Sequence, residues 1–501
     1  MARFVMICGT ASHVGKSVLV AAFCRLLVNN GYKVAPFKSQ NMSLNSWVTE
    51  DGDEIGIAQA VQAWAARIQP SADMNPVLLK PKGDMVSQVI LHGKPLGDRK
   101  VGEYYDSTEA IFQHVCESLE ALARSYEVIV MEGAGSPAEI NLYEQDIANL
   151  RVARSADAPV VLVGDIERGG VFASLYGTVQ LLAEDDQKRI KGFIINKFRG
   201  DEKLLEPGLT KLEELTGIPV LGVIPYVNVR LPSEDSVSLG DTLPAAHSVL
   251  DIAVIRLPHI SNFTDFEPLE AVARVRYVSL DGDLDEPDAI IIPGTKNTVD
   301  DLSAMRRSGM DKRIEARAGV IPIIGICGGF QMLGETITDE GFEGTQNQSN
   351  VVEGLRLLHA RTVFHSSEKR TKQVEKRVTG TGPVLDHLRN QTVRGYEIHM
   401  GTTTSALPIF GDDGGQDATG LVLGTYLHGL FHNDNFRSAL LEHLHSKHME
   451  KPHGPRRAAP QRSTALKGQL PSDQGVDPFD ELAGVVLDHV DMEALYSIIG
   501  L

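Results

Sequence analysis

The sequence predicts an α/β protein with two domains, a parallel-sheet domain with helices on both faces followed by a second α/β domain. Three observations predict this fold class. Short apolar runs alternate with segments of helical periodicity along most of the 501 residues, as parallel strands and their covering helices do. A glycine-rich loop at 9–17 follows the first apolar run, and a glycine turn around Cys327 follows a later one.

Six apolar runs in the first part of the chain are the candidate strands of the first domain. They lie at 4–8, 33–37, 127–131, 159–163, 192–196 and 220–224. Between them, apolar residues recur at helical spacing, as at 17–27 and 55–68. The stretch 231–248 has few large apolar residues and is rich in Pro, Ser, Gly and Asp, which is typical of a linker. We place the first domain at 1–235 and the linker at 236–250.

A second alternating block predicts the second α/β domain at 251–446. Its candidate strands lie at 252–257, 289–292, 322–326 and 421–426. The segment 447–475 is rich in Pro, Arg, Ser, Gln and Gly and has little periodicity, which predicts a disordered insertion. Apolar residues return at helical spacing after it and predict a C-terminal helical tail at 476–501.

Charge and cysteine content limit the partners of the protein. The net charge of −18, from 66 acidic and 48 basic residues, opposes approach to nucleic acid or an anionic membrane. No apolar window reaches the roughly 18 residues of a membrane span, and the apolar N-terminal run enters the glycine loop directly, unlike a signal peptide. The four cysteines lack zinc or disulfide spacing. We expect a cytoplasmic protein with small-molecule partners, and the sequence leaves its oligomeric state open.

The glycine-rich loop predicts a nucleotide site. Lys16 and Ser17 end the loop as in a P-loop, although the first glycine is Gly9, where the standard spacing would place it at Thr10. Backbone N–H groups from Thr10 to Gly15 can surround phosphates, and the Lys16 ammonium can reach their outer oxygens. An ordinary strand-to-helix turn is the alternative, but the flanking strand and helix are the context that the motif requires.

Acidic residues near the same sheet edge predict a Mg²⁺ site that accompanies ATP. Glu132 follows the candidate strand 127–131, and Glu54 lies in an acidic segment that opens a predicted helix. With the Ser17 hydroxyl, these carboxylates offer the oxygen ligands that Mg²⁺ prefers. We therefore predict Ser17, Glu54 and Glu132 as metal ligands. Asn196 ends another apolar run and is a candidate for purine contact.

Cys327 and His428 are the candidate catalytic pair of the second domain. A lone buried cysteine is usually a core residue, but Cys327 ends an apolar run and has glycines close on both sides. His428 follows another apolar run and could act as general base and acid to the thiol. The backbone N–H groups of Gly294 and Gly328 are candidates for an oxyanion and glutamine site.

A third residue that orients His428 is expected, but several alternatives remain open. The position two residues after His428, where a glutamate completes such triads, is Leu430. Glu397 or His399 could act near the site instead, or Cys327 and His428 could work as a pair.

Several longer motifs support a resemblance to known families. They lie at 36–45, 48–56, 73–81, 132–136, 195–201, 293–298 and 395–401. The first half resembles the dethiobiotin-synthetase-like P-loop ATPases, which share the lengthened glycine loop. The second half resembles class I glutamine amidotransferase domains, in the branch that lacks the triad glutamate. Joined in this order, the halves resemble the cobyric acid synthase family of adenosylcobalamin synthesis.

The resemblance implies a substrate, a nitrogen donor and cofactors. Members of this family convert four carboxylates of adenosylcobyrinic a,c-diamide, a corrinoid, to amides with ATP, Mg²⁺ and L-glutamine. An acyl phosphate and a sheltered path for ammonia are implied. A substrate-side loop would include Lys38, Gln40, Asn41 and Asn45. Lys80 and Lys82 are either substrate contacts or solvated surface lysines.

Two alternative functions remain at this point. A cobyrinic acid a,c-diamide synthase has the same two halves and acts on other carboxylates. A regulatory P-loop ATPase of the partitioning type would use the nucleotide site without amidation, but it would leave Cys327 and His428 without a role.

Overall fold

The computed structural model describes residues 2–83, 85–227, 232, 248–343, 349–365, 369–450 and 477–501. The chain divides into two compact units, of which the first comprises Met1–Asp235 with Pro478–Leu501 and the second Ser236–Asp477. Most of the predicted linker at 236–250 lies outside the described residues. Within the described ranges, no helix combines the length and apolar character that crossing a membrane requires.

The first unit alternates strands and helices along the chain. Its strands are β1 Arg3–Gly9, β2 Val34–Phe37, β3 Gln40–Met42, β4 Ser46–Val48, β5 Glu54–Gly56, β6 Val77–Gly83, β7 Val86–Leu91, β8 Lys94–Lys100, β9 Val128–Glu132, β10 Val160–Asp165, β11 Ile190–Phe198 and β12 Val220–Pro225. Its helices before the second unit are α1 Lys16–Asn29, α2 Ile57–Ala65, α3 Val101–Asp106, α4 Thr108–Ser125, α5 Leu150–Ser155, α6 Val171–Leu181, α7 Glu184–Gln187 and α8 Glu206–Thr216.

A parallel six-stranded sheet in the order β12-β11-β10-β1-β9-β2 forms the centre of the first unit. All six strands predicted from apolar runs are confirmed. Alternate side chains of β1 enter different cores, since Val5 and Ile7 pack with residues of α1, whereas Met6 and Cys8 pack with residues of α4 and α6. Helices therefore cover both faces, as the near-continuous apolar strands require.

A smaller sheet in the order β3-β6-β7-β8 was not predicted from the sequence. Its last two strands form an antiparallel hairpin that turns at His92 and Gly93. The strand β8 is exposed or half-buried along its length and consists mainly of polar residues, so it gives no apolar run for sequence analysis to detect.

The second unit has its own set of elements. Its strands are β13 Asp251–Arg256, β14 Ile260–Ser261, β15 Arg274–Ser279, β16 Ala289–Ile292, β17 Gly294–Thr295, β18 Ile323–Ile326, β19 Thr336–Glu340, β20 Ser349–Glu353, β21 Ala360–Phe364, β22 Arg370–Arg377, β23 Thr392–His399, β24 Thr402–Ser405, β25 Gly415–Gln416 and β26 Val422–Thr425. Its helices are α9 Glu267–Glu270, α10 Thr298–Ser308, α11 Met310–Glu315, α12 Gly328–Leu333 and α13 Asp434–Glu450.

The main sheet of the second unit has the order β15-β13-β16-β18-β26-β25, and all its pairings except that of β25 are parallel. The four predicted strands of this unit are confirmed as β13, β16, β18 and β26. Because β18 and β26 are parallel neighbours, the segments that follow them leave the same sheet edge. Helix α13 extends through Glu450, so the first residues of the predicted insertion at 447–475 are helical, and 451–475 lies outside the described residues.

Two C-terminal helices, α14 Pro478–His489 and α15 Met492–Ile499, complete the first unit. Helix α14 packs on α1 and β12. The Asp491 N–H donates to the Leu221 carbonyl at 2.7 Å, and the Asn29 amide donates to Asp480 at 3.1 Å. The predicted C-terminal helical segment therefore supports the same helix that begins at Lys16.

We expect Gly222→Ala to destabilise the first unit, because a Cβ at Gly222 would lie 2.1 Å from the His489 carbonyl oxygen. Overpacking of this kind costs about 1–3 kcal/mol. Gly484→Ala in α14 is the matched control, since its Cβ would meet no atom within 4 Å and alanine favours a helix by up to about 1 kcal/mol. Denaturant unfolding of both variants measures the difference, and equal stability would contradict the packing of β12 on this segment.

Candidate active sites

The glycine-rich loop joins β1 to α1 in the first unit. Gly15 has φ 100°, and a Cβ there would lie 2.1 Å from the Asn196 amide nitrogen, so both conformation and space require glycine. The Asn196 amide in turn donates to the Val14 carbonyl at 2.8 Å. Asn196, the candidate for purine contact, therefore also stabilises the loop. At the start of the loop, the Thr10 N–H donates to the Val163 carbonyl at 2.9 Å.

Lys16 is the first residue of α1, and its ammonium group contacts backbone carbonyl oxygens. It donates to Ala11 at 2.9 Å and to Gly135 at 3.2 Å. Gly135 belongs to the segment that follows β9, so Lys16 connects the glycine loop with the neighbouring strand end. A lysine in this position can exchange carbonyl partners for phosphate oxygens.

Glu132 is the centre of a polar network at the end of β9. Its buried carboxylate accepts hydrogen bonds from the Ser17 hydroxyl at 2.7 Å, the Lys38 ammonium at 2.8 Å and the Gln62 amide at 2.5 Å. The structure thus brings Ser17 and Glu132 together, as the sequence predicted for a metal site. It also brings Lys38, assigned by resemblance to the substrate-side loop, into contact with the same carboxylate.

Glu54, predicted as a third metal ligand, forms an ion pair with a buried lysine in the structure. Its carboxylate is fully buried and accepts from the Lys80 ammonium at 2.7 Å, which also donates to the Ser46 hydroxyl at 2.8 Å. The Glu54 charge is therefore balanced by a lysine within the core, and its place among the metal ligands stays a prediction. Lys82 is also buried, with its ammonium 2.9 Å from Asp98, so neither lysine is a solvated surface residue.

The remaining residues of the predicted substrate-side loop make internal hydrogen bonds. Gln40 accepts from the Tyr104 hydroxyl, and the buried Asn41 amide donates to Gln59 at 3.0 Å. The carbonyl of the buried Asn45 accepts from the N–H of Ile57, the first residue of α2, at 3.2 Å. These contacts fix the backbone of the loop, and a role in binding substrate stays a prediction.

Cys327 lies between β18 and α12 with φ 51° and ψ −108°, a conformation that non-glycine residues rarely adopt and that costs about 1–3 kcal/mol. Its N–H donates to the Thr425 carbonyl at 2.8 Å. A Cβ at Gly329 would lie 2.0 Å from the Ile292 carbonyl oxygen, so the helix start can approach β16 only with glycine. The strained turn is therefore held from both neighbouring strands.

The two glycines predicted for an oxyanion site lie close to this turn. A Cβ at Gly328 would be 2.6 Å from the Thr295 side chain, and one at Gly294 would be 3.2 Å from the His428 ring. Gly294 therefore borders the imidazole of His428, and Gly328 borders the residue after Gly294. The arrangement fits two backbone donors near one reacting carbonyl, and their use as an oxyanion hole remains a prediction.

His428 is fully buried and is held by a carboxylate that the sequence analysis missed. Asp265 lies 2.7 Å from His428 Nδ1 and also accepts from the Gly429 N–H at 2.9 Å. Burial lowers the pKa of His428, but the Asp265 carboxylate and a hydrogen bond with Cys327 oppose it and raise that pKa above its ordinary value. Cys327 and His428 are thus close enough to exchange a proton, and the Asp265 charge favours the protonated form of the imidazole.

Neither Glu397 nor His399 orients His428. Glu397 is buried in ion pairs with Arg370 and Lys376. The His399 ring stacks on Tyr426 at 3.6 Å, and burial lowers its pKa to about 4, which keeps the imidazole neutral. In the sequence, Asp265 is recognisable only as an acidic residue that follows the predicted strand at 252–257, which does not indicate a catalytic role.

A cavity of about 310 Å³ in the second unit is lined by these side chains and by Asp413. It contains charges of both signs. Tyr426, which also lines it, accepts at its hydroxyl from the Gln331 amide at 3.0 Å, and Gln331 belongs to the helix that follows Cys327. The Cys327 sulfur is 3.7 Å from the Ile398 carbonyl oxygen, so the thiol contacts β23, the strand whose residues Glu397 and His399 line the cavity.

Known proteins match both units. Residues 5–238 match the CobQ/CobB/MinD/ParA nucleotide binding domain, and residues 251–436 match the CobB/CobQ-like glutamine amidotransferase domain. "Probable cobyric acid synthase" of Methanococcoides burtonii is 57% identical over 501 residues, which cover 100% of this chain and 97% of the relative. Proteins of the same name are 57% identical in Methanosarcina acetivorans (100% of this chain, 99% of the relative) and 50% identical in Methanoregula boonei (99% of each).

A nucleotide-binding domain joined to a glutamine amidotransferase domain defines the class of the protein, a glutamine-dependent amidoligase that uses ATP. At this identity over the full chain, it belongs to the cobyric acid synthase family. The family resemblance and the fold class predicted from the sequence are confirmed. A regulatory ATPase without amidation is excluded as an alternative.

We expect Asp265→Asn to lower glutaminase kcat by roughly 10²–10⁴-fold, the range of general acid–base contributions. Removal of the carboxylate charge lowers the pKa of His428. We expect the His428 imidazolium to protonate the leaving nitrogen, and it is lost as pH rises through this pKa, so the alkaline limb of the kcat profile should move to lower pH. Glutamate release measured across pH tests both effects.

The exposed Asp281, which also lies in the second unit, provides the control variant Asp281→Asn. It should keep the rate and pH profile of the unaltered protein. If Asp265→Asn loses rate with an unshifted alkaline limb, Asp265 does not act through the charge of His428.

Proposed function

We propose that the protein amidates the b, d, e and g carboxylates of adenosylcobyrinic a,c-diamide in succession, giving adenosylcobyric acid, with ATP, Mg²⁺ and L-glutamine. Family membership supports the choice of substrate. The observation that carries the chemistry is the buried Asp265–His428 contact beside Cys327, because it supplies a proton donor and acceptor to a thiol that is held in a strained turn.

In the second unit, the Cys327 sulfur attacks the side-chain amide carbon of glutamine. The oxyanion that forms is stabilised by the N–H groups of Gly294 and Gly328. The C–N bond then breaks as His428 gives its proton to the leaving nitrogen, which departs as ammonia. Water, deprotonated by His428, cleaves the thioester to glutamate and restores the thiol.

The charged cavity next to β23 supports a site for the amino-acid end of glutamine. That end carries one ammonium and one carboxylate, so it needs partners of both signs. Arg370 and Lys376 offer positive charge, while Glu397 and Asp413 offer negative charge. The stacked pair of His399 and Tyr426 would form an uncharged wall of the same site.

In the first unit, ATP converts an unreactive carboxylate to an acyl phosphate. The substrate oxygen forms a bond to the γ-phosphorus as the bond to ADP breaks, and ammonia then attacks the acyl carbon and expels phosphate. Lys16 and Lys38 provide positive charge where negative charge develops. Ser17 and Glu132 are oxygen donors in contact and would hold Mg²⁺, which neutralises phosphate charge when it is bound.

We expect Cys327→Ala to abolish amidation with glutamine and to keep amidation with added ammonium at raised pH. Lys16→Ala should lose both reactions, because acyl-phosphate formation is needed whatever the nitrogen source. Amide formation with each nitrogen donor, measured for both variants, checks the division of labour. Equal losses with glutamine and ammonium in Cys327→Ala would contradict it.

The product identifies the substrate carboxylates. With adenosylcobyrinic a,c-diamide, mass spectrometry should show up to four successive replacements of OH by NH₂ in each corrinoid. No turnover of this diamide, together with two replacements on the unamidated acid, would assign the protein the reaction of a cobyrinic acid a,c-diamide synthase instead.

A further inference from the structure

Two histidines and a glutamate converge in the first unit where hairpin β7–β8 meets α4. One ring nitrogen each of His92 and His114 and a carboxylate oxygen of Glu117 all lie within 4.8 Å of one another. The imidazole rings are 5.4 Å apart and nearly perpendicular. None of these residues has a part in the nucleotide or glutamine chemistry described above.

The backbone brings the three side chains together from two elements. His114 and Glu117 are one helical turn apart on α4, and His114 Nδ1 is 3.1 Å from the Glu117 carboxylate. His92 occupies the hairpin turn with φ 45°, a left-handed conformation that is uncommon for histidine. Its N–H donates to the Pro76 carbonyl at 2.8 Å, which holds the turn against the chain that precedes β6.

A second layer of hydrogen bonds bears on which ring nitrogen of His92 carries the hydrogen. The buried Ser118 hydroxyl donates to the Asp73 carboxylate at 2.9 Å and lies 3.2 Å from His92 Nδ1. Because the single hydroxyl proton goes to Asp73, the serine oxygen accepts from Nδ1–H of His92. Nε2 then keeps its lone pair, and it can bind a cation while the hydrogen bond to Ser118 persists. Carboxylates and hydroxyls orient metal-bound histidines in the same manner.

We propose that His92, His114 and Glu117 bind one Zn²⁺ ion, with water completing the coordination. Two imidazoles and one carboxylate form a donor set suited to zinc, whereas Mg²⁺ prefers oxygen donors alone. Ligand bonds of about 2.0–2.2 Å require the three donor atoms to draw closer, and the exposed side chain of Glu117 can rotate to close the site.

The site would tie the hairpin to α4 and, through its second layer, to the nucleotide site. Asp73 lies in a short 3-10 turn just before Asn75. The Asn75 side chain accepts from the Gly56 N–H at 3.0 Å and donates to the Lys38 carbonyl at 3.0 Å. Zinc at His92 would therefore stabilise the folded first unit, since an ion that binds only the native state adds stability by mass action.

The test uses the full-length protein without an affinity tag, stripped with a chelator and titrated with Zn²⁺ alone. His92→Asn keeps a residue that tolerates the left-handed turn but replaces the imidazole, and Glu117→Gln removes the carboxylate. Each variant should bind one zinc ion fewer per chain, or bind it at least tenfold more weakly. Glu120→Gln, an exposed position on the same helix, is the matched control and should bind as the unaltered protein does.

Thermal unfolding and Co²⁺ spectroscopy provide independent readouts. Zinc should raise the melting temperature of the unaltered protein and the Glu120→Gln variant, and raise it less in the other two. Co²⁺ at the site should give ligand-field bands without a thiolate charge-transfer band, and these bands should be lost in His92→Asn. The proposal would be overturned if His92→Asn and Glu117→Gln both left the zinc stoichiometry and affinity unchanged. It would also be overturned if the Co²⁺ spectrum contained a thiolate charge-transfer band that His92→Asn removed.

Discussion

A carboxylate buried away from water must be surrounded by donors or cations, and this constraint organises both candidate sites. Glu132 gathers Ser17, Lys38 and Gln62 at the end of β9, and Asp265 accepts from His428 and its neighbour in the second unit. Removing one partner of such a group leaves an uncompensated charge, which is costly in a protein interior. Each acid therefore fixes the positions of the groups that the proposed chemistry uses.

The backbone at the two strand ends imposes a second constraint. Gly15 and Gly329 each stand where a Cβ would overlap another atom of the protein. At the nucleotide loop the neighbour is Asn196, and at the thiol turn it is the carbonyl of Ile292. Glycine allows the loop or helix start to approach the adjacent strand, so the functional side chains are positioned by the sheet itself rather than by their own flexible connections.

The sequence predicted the sheets and the local motifs well for one physical reason. Buried parallel strands must be apolar, and loops that bind phosphate or present a thiol need glycine, so both leave signals within a few residues. Asp265 left no such signal, because it lies 163 residues from His428 in the chain. The Lys80 partner of Glu54 left no signal for a related reason, since an acidic residue near a helix start has the same sequence pattern whether or not a lysine faces it. Contacts that only folding creates cannot be derived from spacing along one chain.

The return of the chain to its first unit has a consequence for biosynthesis. Helices α14 and α15 leave the ribosome after the entire amidotransferase segment, yet α14 packs on the helix that begins at Lys16. Domains generally fold as they emerge during translation. The nucleotide-binding unit can therefore gain its last structural support only after the amidotransferase segment has been made, and a chain that stops before α14 would lack that support.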